Sequence, residues 1–363
     1  MSLLLVVGTR PQIIKTAPIL HTAKQKGLDI VLIHTGQHYD YKMSQIFLEQ
    51  FSLPEPEANL NIGSSSHTSQ TAEIMLRLEK HLTKENTKIT LIPGDTNSAL
   101  AGALTSAKQG VPVAHIEAGA RCYDMKMAEE INRRLIDHCS EMLFAPTPNC
   151  KRNLEKESVT GSIHLLGDTM FDAFLSFKDG ADKCDILDKL DIPEKEYSLL
   201  TLHRAENVDD PKKLRDILKA IEKTKTRIIF PVHPRTRERM KEHNISLESS
   251  IFKTIDPVGY VEMLKLLRHA KAVLTDSGGV QKEAFWSKIP CITIRDKTEW
   301  IETVEMKVNI LTSTNPNRIV QVIRQVEQEY NEIKKRFKEN PFGDGKASER
   351  IVNLLKEKIE YKL

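Results

Sequence analysis

The chain has 363 residues, of which 40% are hydrophobic and 28% are charged, as in an ordinary globular protein. This length is too great for one typical hydrophobic core and predicts two domains. The 53 basic residues nearly cancel the 50 acidic ones, so a net charge of +3 provides no basic field for a nucleic acid.

Signals for a membrane, a disulfide framework or a metal site are missing from the sequence. The apolar run Leu3–Val7 is too short for a signal peptide or a membrane span. The 5 cysteines are odd in number without a C-x-x-C pair, and the 12 histidines form no HExxH motif. We therefore expect a cytoplasmic protein with reduced thiols, no bound metal and neither a membrane nor a nucleic acid as partner.

Short apolar runs alternate with amphipathic stretches through the first half of the chain, which predicts a parallel sheet covered by helices. The predicted strands are Leu3–Val7, Ile30–His34, Ile89–Ile92, Val113–Glu117, Met142–Ala145 and Ile163–Leu166. The predicted helices are Ile13–Lys26, Tyr41–Phe51, Thr71–Leu82, Ser98–Gln109, Glu129–Ser140 and Asn149–Glu157.

The same alternation begins again after Gly167, which predicts a second Rossmann-like domain, with a junction between Leu166 and Lys195. The predicted strands are Tyr197–Leu202, Arg227–Val232, Phe252–Ile255, Ala272–Thr275, Cys291–Ile294 and Val308–Leu311. The predicted helices are Pro211–Thr224, Thr236–His243, Tyr260–His269 and Val280–Trp286. A last helix, Ala347–Lys362, either closes the second domain or crosses to the first.

Ser277-Gly278-Gly279 lies between a predicted strand and a predicted helix. A helix start offers unpaired N–H donors and the positive end of the helix dipole, and glycine lets a phosphate approach the backbone. The turn therefore predicts a phosphate site, although a tight loop with a capping serine would look the same. Glu283, about one helical turn later, can reach a ligand hydroxyl beyond the phosphate.

Cations and carboxylates follow the strands of the first half. Arg10 and Lys15 lie near the first helix start, where they suit a phosphate or a carboxylate but could equally be solvated. Asp95 follows a strand and could simply cap a helix. Glu117 ends a buried strand, where a carboxylate is costly unless it is paired or functional.

Glu129 and Glu130 precede Arg133 and Arg134 by about one helical turn. This spacing fits a surface ion-pair face as well as a carboxylate and a guanidinium in one active site.

Two histidines end successive strands of the second half, each beside an arginine. His203 precedes Arg204, and His233 is followed two residues later by Arg235. One such histidine is more often structural, but two at neighbouring strand ends favour a functional site.

Seven motifs occur in an order that resembles the non-hydrolysing UDP-N-acetylglucosamine 2-epimerases. They are Gly8-Thr9-Arg10-Pro11, Gly94-Asp95-Thr96, His115-Ile116-Glu117-Ala118-Gly119, Glu129-Glu130-Ile131-Asn132-Arg133, His203-Arg204-Ala205-Glu206-Asn207, Asp276-Ser277-Gly278-Gly279-Val280-Gln281-Lys282-Glu283 and Asn340-Pro341-Phe342-Gly343-Asp344-Gly345. The resemblance covers nearly the whole chain.

This resemblance implies an α/β, GT-B-like fold of two Rossmann-like domains whose parallel sheets face each other across a cleft. The implied divisions are a sugar-side domain at 1–167, a UDP-binding domain at 168–345, and a helix at 346–363 that returns to the first domain. It further implies a homodimer and a UDP-sugar substrate. The implied reaction is reversible conversion of UDP-GlcNAc to UDP-ManNAc, for surface polysaccharide or glycan synthesis, by loss and re-addition of UDP through a 2-acetamidoglucal.

The resemblance also assigns residues, without any cofactor or metal. The expected catalytic residues are Asp95, Glu117, Glu129 and His203. The expected substrate-binding residues are Arg10, Lys15, Arg133, Arg204, His233, Ser277, Gly278, Gly279 and Glu283. Gln37, His38 and Gln70 are candidates for an allosteric site that binds a second substrate molecule.

Four positions depart from the family pattern, namely Gln12, Ala128, Ala205 and Trp300-Ile301. Gln12 and Thr298-Glu299-Trp300 look more like relatives that act on UDP-2,3-diacetamido-2,3-dideoxyglucuronate, so that substrate is an alternative. A GT-B glycosyltransferase and a nucleotide-sugar sensor are alternatives of other classes, and neither readily explains the carboxylate set.

Overall fold

The computed structural model describes residues 2–37, 48, 51, 53–83, 86–247 and 249–360, and the chain divides into two compact units. The first unit comprises Met1–Ser176 together with Pro341–Leu363, and the second unit is Phe177–Asn340. The predicted helix Tyr41–Phe51 lies almost entirely outside the described residues.

The first unit is built on a parallel sheet of seven strands. They are Ser2–Val7 (β1), Ile30–His34 (β2), Ala58–Asn59 (β3), Thr87–Pro93 (β4), Val113–Ile116 (β5), Met142–Ala145 (β6) and Ser162–Leu165 (β7). They pair in the order β3-β2-β1-β4-β5-β6-β7. Leu3–Val7 are all buried, because a central parallel strand is covered on both faces.

The helices that follow these strands supply much of the first core. They are Arg10–Gln25 (α1), His67–Leu78 (α2), Asn97–Lys108 (α3), Ala128–Cys139 (α4), Pro148–Lys156 (α5) and Thr169–Asp182 (α6). One core cluster joins Val6 and Ile92 of the sheet to Ile74 of α2, Ala101 of α3 and Ile136 of α4.

The second unit contains a parallel sheet of six strands. They are Ser198–Thr201 (β8), Ile228–Pro231 (β9), Phe252–Ile255 (β10), Ala272–Thr275 (β11), Cys291–Thr293 (β12) and Asn309–Leu311 (β13), paired in the order β10-β9-β8-β11-β12-β13. Its further helices are Ile186–Lys189 (α7), Ala205–Val208 (α8), Pro211–Glu222 (α9), Pro234–Glu242 (α10), Tyr260–Arg268 (α11), Gly278–Trp286 (α12), Ile301–Glu305 (α13), Pro316–Gln328 (α14) and Tyr330–Lys334 (α15).

Both sheets reverse their strand order beside the first strand of the unit. The reversal lies between β1 and β4 in the first unit and between β8 and β11 in the second. In open parallel sheets, ligands bind beyond the carboxyl ends of the strands at such a switch point. A ligand is therefore expected to contact the residues that follow these four strands.

The last helix, Ala347–Glu360 (α16), belongs to the first unit, so the chain returns to its first sheet. Lys26 Nζ donates to Asn353 Oδ1 at 2.5 Å, which links the end of α1 to α16. The carboxylate of Asp172 on α6 accepts the N–H groups of Ala347 and Ser348 at 3.3 and 2.6 Å. Side-chain oxygens that accept such first-turn donors stabilise a helix start.

The differences from the sequence-based expectation concern several helices, one short strand and the unit boundaries. The helices α6 and α14 were not predicted, and neither were the short helices α7, α8, α13 and α15 or the two-residue strand β3. The compact units divide after Ser176 and Asn340, whereas the expected boundaries were 167 and 345. The first observed division falls within α6, which begins just after the expected boundary and continues to Asp182. No helix in the described ranges is long and apolar enough to cross a membrane.

The contact between Asp172 and α16 generates a stability prediction. Asp172→Ala removes the acceptor for two first-turn N–H donors, so the free energy of unfolding should fall by about 1–2 kcal/mol. Urea denaturation measures this change. Asp185→Ala, at an exposed position before α7, serves as the control and should leave the urea midpoint unchanged. An equally unchanged midpoint for Asp172→Ala would contradict the proposed cap.

Candidate active site

The predicted phosphate turn lies at the start of α12, directly after β11. Ser277 precedes the helix, and its side chain makes no capping hydrogen bond to the helix that follows. Its own N–H donates to Thr275 Oγ1 at 2.9 Å. The N–H groups of the first helical turn have no acceptor within the helix, so they can bind an anion.

A fully buried carboxylate, Asp276, connects this turn to the end of β8. It accepts the backbone N–H groups of His203 and Arg204, at 3.1 and 3.0 Å to Oδ2. It also accepts from Asn207 Nδ2 at 3.1 Å, and Asn207 in turn donates to the carbonyl of Ile294 at 3.0 Å. Asp276 therefore holds together the ends of strands at the switch point of the second sheet. The sequence placed Asp276 within a motif but did not indicate this role.

The two predicted histidines lie side by side at this switch point. The ring centroids of His203 and His233 are 5.3 Å apart, and His203 Nδ1 is 3.3 Å from Asp276 Oδ1. Arg204 Nε donates to the Asp276 carbonyl at 3.2 Å. His203, Arg204 and the phosphate turn thus meet through Asp276, and His233 lies beside them through its contact with His203, as their positions at neighbouring strand ends predicted. Glu283 is buried on α12 about one turn after the phosphate turn.

The segment 295–300 packs against the same helix start. Arg295 and Glu299 form a buried bidentate pair, with nitrogen–oxygen distances of 2.9 and 3.1 Å. Lys282 Nζ lies 4.2 Å from the ring centroid of Trp300, within the range of a cation–π interaction. A Cβ atom added at Gly278 would lie 3.4 Å from Trp300 Nε1. The sequence indicated Trp300 only as a departure from the family pattern, whereas the structure shows that it borders the phosphate turn.

In the first unit, Gln12 joins the β1–α1 turn to the end of β4. Its Oε1 accepts the N–H of Gly8 at 2.8 Å, and its Nε2 donates to the carbonyl of Pro93 at 2.8 Å. An amide suits this buried position because it both donates and accepts. This explains the chemistry of one departure from the family pattern. Arg10, the first residue of α1, is exposed beside this turn.

Lys15 and Glu117 form an ion pair of 2.8 Å between α1 and the end of β5. Both side chains are about nine-tenths buried, at 11% and 10% exposure. Glu117 has a φ of 74°, which is rare for a residue with a side chain and is typical of strained functional positions. The strand end therefore presents Glu117 in an unusual backbone conformation that brings its carboxylate to Lys15.

Asp95 and Arg133 form a second pair in this unit, with a distance of 2.5 Å. Arg133 also contacts the fully buried Glu130 at 3.1 Å, and Glu130 accepts the N–H groups of Cys122 and Tyr123. The helical spacing thus produces a buried ion pair for Glu130. Glu129 is half-buried on α4, and its side chain makes no hydrogen bond or ion pair with any residue that the structure describes.

Two of the three allosteric candidates contact each other. Gln70 Nε2 donates to the carbonyl of Gln37 at 3.1 Å, and Gln37 Oε1 accepts from Ser98 Oγ at 2.6 Å. Gln70 Oε1 accepts from Asn97 Nδ2 at 2.8 Å. His38, the third candidate, lies outside the described residues.

Two parallel sheets with Rossmann strand order and charged residues at both switch points define an α/β protein of the GT-B-like class. The family model described as UDP-N-acetylglucosamine 2-epimerase matches residues 21–356. The chain therefore belongs to the UDP-N-acetylglucosamine 2-epimerase family, whose members are isomerases.

Individual relatives are similar to the chain over nearly its whole length. A UDP-N-acetylglucosamine 2-epimerase of Methanocaldococcus jannaschii is 46% identical, with 98% of this chain and 99% of the relative covered. A UDP-2,3-diacetamido-2,3-dideoxy-D-glucuronate 2-epimerase of Pseudomonas aeruginosa is 40% identical, with 98% and 99% covered.

The fold is also found among solved structures. The M. jannaschii UDP-GlcNAc 2-epimerase in complex with UDP-GlcNAc and UDP has a TM-score of 0.92 at 44% identity, with 98% of this chain and 100% of that chain covered. UGT2 of Phytolacca americana has a TM-score of 0.66 at 11% identity, with 99% of this chain and 100% of that chain covered, which shows a common fold and nothing further.

The contacts of Asp276 generate a prediction about the second unit. In Asp276→Asn, an amide N–H₂ replaces an acceptor that faces backbone N–H donors. The free energy of unfolding should fall by about 1–3 kcal/mol.

Urea denaturation measures this change. Asp256→Asn is the matched control, because Asp256 also follows a strand of this sheet but forms an exposed ion pair with Arg237. An unchanged urea midpoint in Asp276→Asn would contradict the role given to this carboxylate.

Proposed function

We propose that the protein interconverts UDP-GlcNAc and UDP-ManNAc at C2 by elimination and re-addition of UDP. The observation that carries this proposal is the similarity to a structure that contains UDP-GlcNAc and UDP, at 44% identity over 98% of this chain. The paired carboxylates and the phosphate turn at the two switch points support it, because the reaction needs acid–base groups and an anion site.

We assign the diphosphate and the ribose to residues that can bind them. The helix start at Ser277, Gly278 and Gly279 offers backbone donors to phosphate, and His233 lies beside His203 at the neighbouring strand end. Arg10, Lys15 and Arg204 supply positive charge as negative charge builds up on the departing UDP. Glu283, buried one turn into α12, would accept hydrogen bonds from ribose hydroxyls.

Proton transfer at C2 is assigned to Glu117 and Asp95. One carboxylate removes the C2 proton while the bond between C1 and the UDP oxygen breaks, which yields 2-acetamidoglucal and UDP. The other acid returns a proton to the opposite face of C2 while the UDP oxygen bonds to C1 again. Lys15 and Arg133 hold the two carboxylates in place through ion pairs. His203 and Glu129 would position the sugar.

Transfer of deuterium to C2 tests this proposal directly. The protein incubated with UDP-GlcNAc alone in D₂O should form UDP-ManNAc, and both epimers should carry deuterium at C2. Glu117→Gln and Asp95→Asn should slow the exchange about 10²–10⁴-fold. Glu141→Gln is the matched control, because Glu141 is exposed at the amino end of β6, whereas Asp95 and Glu117 follow the carboxyl ends of their strands. Normal exchange in both site variants would refute the assignment, and absence of exchange in the unaltered protein would refute the function.

UDP-2,3-diacetamido-2,3-dideoxyglucuronate is the second candidate substrate. The relative that bears this substrate in its name is 40% identical, only slightly below the UDP-GlcNAc epimerase at 46%. Gln12 and the triplet Thr298-Glu299-Trp300 favour this alternative. C2 exchange measured on each sugar separately decides between the two, because the preferred substrate will have the higher kcat/KM.

We further propose that the protein acts as a homodimer in the cytoplasm. The five cysteines are odd in number and form no C-x-x-C motif, which favours reduced thiols in a reducing compartment. An apolar patch marks the first unit, where Tyr123, Met125, Ile131 and Leu135 are 41–53% exposed on α4 and on the segment before it. Apolar residues clustered on a surface in this way are typical of a protein interface.

Substitution of this patch tests the dimer. Ile131→Glu combined with Leu135→Glu places two charges in the interface and should produce a monomer, measured by light scattering after size-exclusion chromatography. Leu165→Glu, a similarly exposed leucine on β7, should leave the mass unchanged. A monomeric unaltered protein, or a double variant of dimeric mass, would contradict this proposal.

A further inference from the structure

A chain of fully buried charged groups lies beneath the loops that carry Asp95 and Glu117. His115 Nδ1 is 2.6 Å from Asp137 Oδ1, and Asp137 Oδ2 is 2.7 Å from Arg121 Nη2. The side chains of all three residues are 0% exposed. At its outer end, Arg121 forms two hydrogen bonds with Glu157, at 2.7 and 3.0 Å.

This buried chain contacts the backbone on both sides of the proposed catalytic pair. His115 Nε2 donates to the carbonyl of Gly94, the residue before Asp95, at 2.9 Å. Asp137 Oδ2 accepts the N–H of Gly119, two residues after Glu117, at 3.1 Å. The N–H of Gly94 also donates to the carbonyl of Ile116 at 2.9 Å. The loops after β4 and β5 are therefore held to one another from below.

The donors and acceptors of these residues allow few other hydrogen-bond arrangements. Burial alone raises the pKa of Asp137, but His115 and Arg121 outweigh burial and hold the pKa below its usual value, so the carboxylate is ionised. A carboxylate and a carbonyl oxygen only accept, so both ring nitrogens of His115 donate. Position 119 has no space for a side chain, since a Cβ atom added to Gly119 would lie 2.2 Å from the carbonyl oxygen of Cys150.

Buried charged groups are costly when one partner is lost, which is why such a set specifies one geometry. Proton transfer at carbon is sensitive to that geometry, and a misplacement of about 1 Å can cost about 10²-fold in rate. The buried chain does not touch the surface from which a substrate would approach, since its members are enclosed.

We propose that His115, Asp137 and Arg121 are positioning residues that hold the two acid–base carboxylates in register by fixing the Gly94 carbonyl and the Gly119 N–H. This inference rests on the proposed function, because it assumes that Asp95 and Glu117 act on the same carbon. The predicted effect is on kcat, while affinity for UDP should change little, because the phosphate turn, His233 and Glu283 lie in the second unit.

His115→Gln tests the proposal. The two ring nitrogens of His115 contact different acceptors, Asp137 and the Gly94 carbonyl, whereas glutamine has a single nitrogen that can replace only one of them. We expect kcat to fall about tenfold or more, with UDP affinity unchanged within about threefold. Asp172→Ala is the control, since it removes a buried carboxylate of the same unit far along the chain from these loops. It should lower stability but retain kcat at temperatures where it is folded.

Arg121→Lys is the second variant, to be used if His115→Gln does not fold. Lysine keeps the charge but cannot form the bidentate contact with Glu157 while it contacts Asp137, so kcat should fall about fivefold or more. Folded variants with unchanged kcat would overturn the inference, as would equal losses of kcat and UDP affinity. Failure of the proposed function is distinct, because the unaltered protein would then show no C2 exchange.

Discussion

Each sheet depends on a fully buried carboxylate that accepts hydrogen bonds from donors near the carboxyl ends of its strands. Asp276 does so in the second unit by accepting the N–H groups of His203 and Arg204. Asp137 does so in the first unit through His115, Arg121 and the N–H of Gly119. A buried carboxylate without such donors would cost several kcal/mol, so the loops around it have few alternative conformations. The same constraint orders the loops to which the proposed chemistry is assigned.

The groups that surround Asp276 differ chemically from those that surround Asp137. Asp276 fixes the backbone of His203 and Arg204 next to the start of α12, which can bind an anion. The site around Asp276 therefore consists of hydrogen-bond donors and positive charge. Asp137 lies beneath loops that present two carboxylates, each already paired with a cation. One unit thus offers donors and positive charge, and the other offers carboxylates. This difference fits a reaction in which one part of the substrate leaves as an anion and the other exchanges a proton.

Much of the fold could be predicted from local pattern, because continuous apolar runs identify buried parallel strands. Every strand except the two-residue β3 was predicted in this way. The helix α14 was also accessible, since Asn315, Pro316 and buried apolar residues at spacings of three and four mark it. By contrast, α6 contains Gly180 and several charges, and its Asp172 contacts the start of α16, 176 positions later in the chain.

The site could be predicted only in part. Strand ends indicated His203, His233, Glu117 and Asp95, because polar residues after buried strands are unusual. The pairing of Lys15 with Glu117 joins residues 102 positions apart, and that of Arg133 with Asp95 joins residues 38 apart, so neither follows from local pattern. The roles of Asp276, Asp137 and Trp300 are likewise tertiary, since each depends on which backbone groups the fold brings to it.

The central proposal is that UDP leaves C1 and then bonds to it again. UDP-GlcNAc labelled with ¹⁸O in the oxygen that bridges C1 and the β-phosphorus tests this claim most directly. Rotation of the β-phosphate before re-addition should move the label into non-bridging positions, at a rate comparable to C2 exchange, as followed by ³¹P NMR. Epimerisation with the label retained in the bridge would contradict the account.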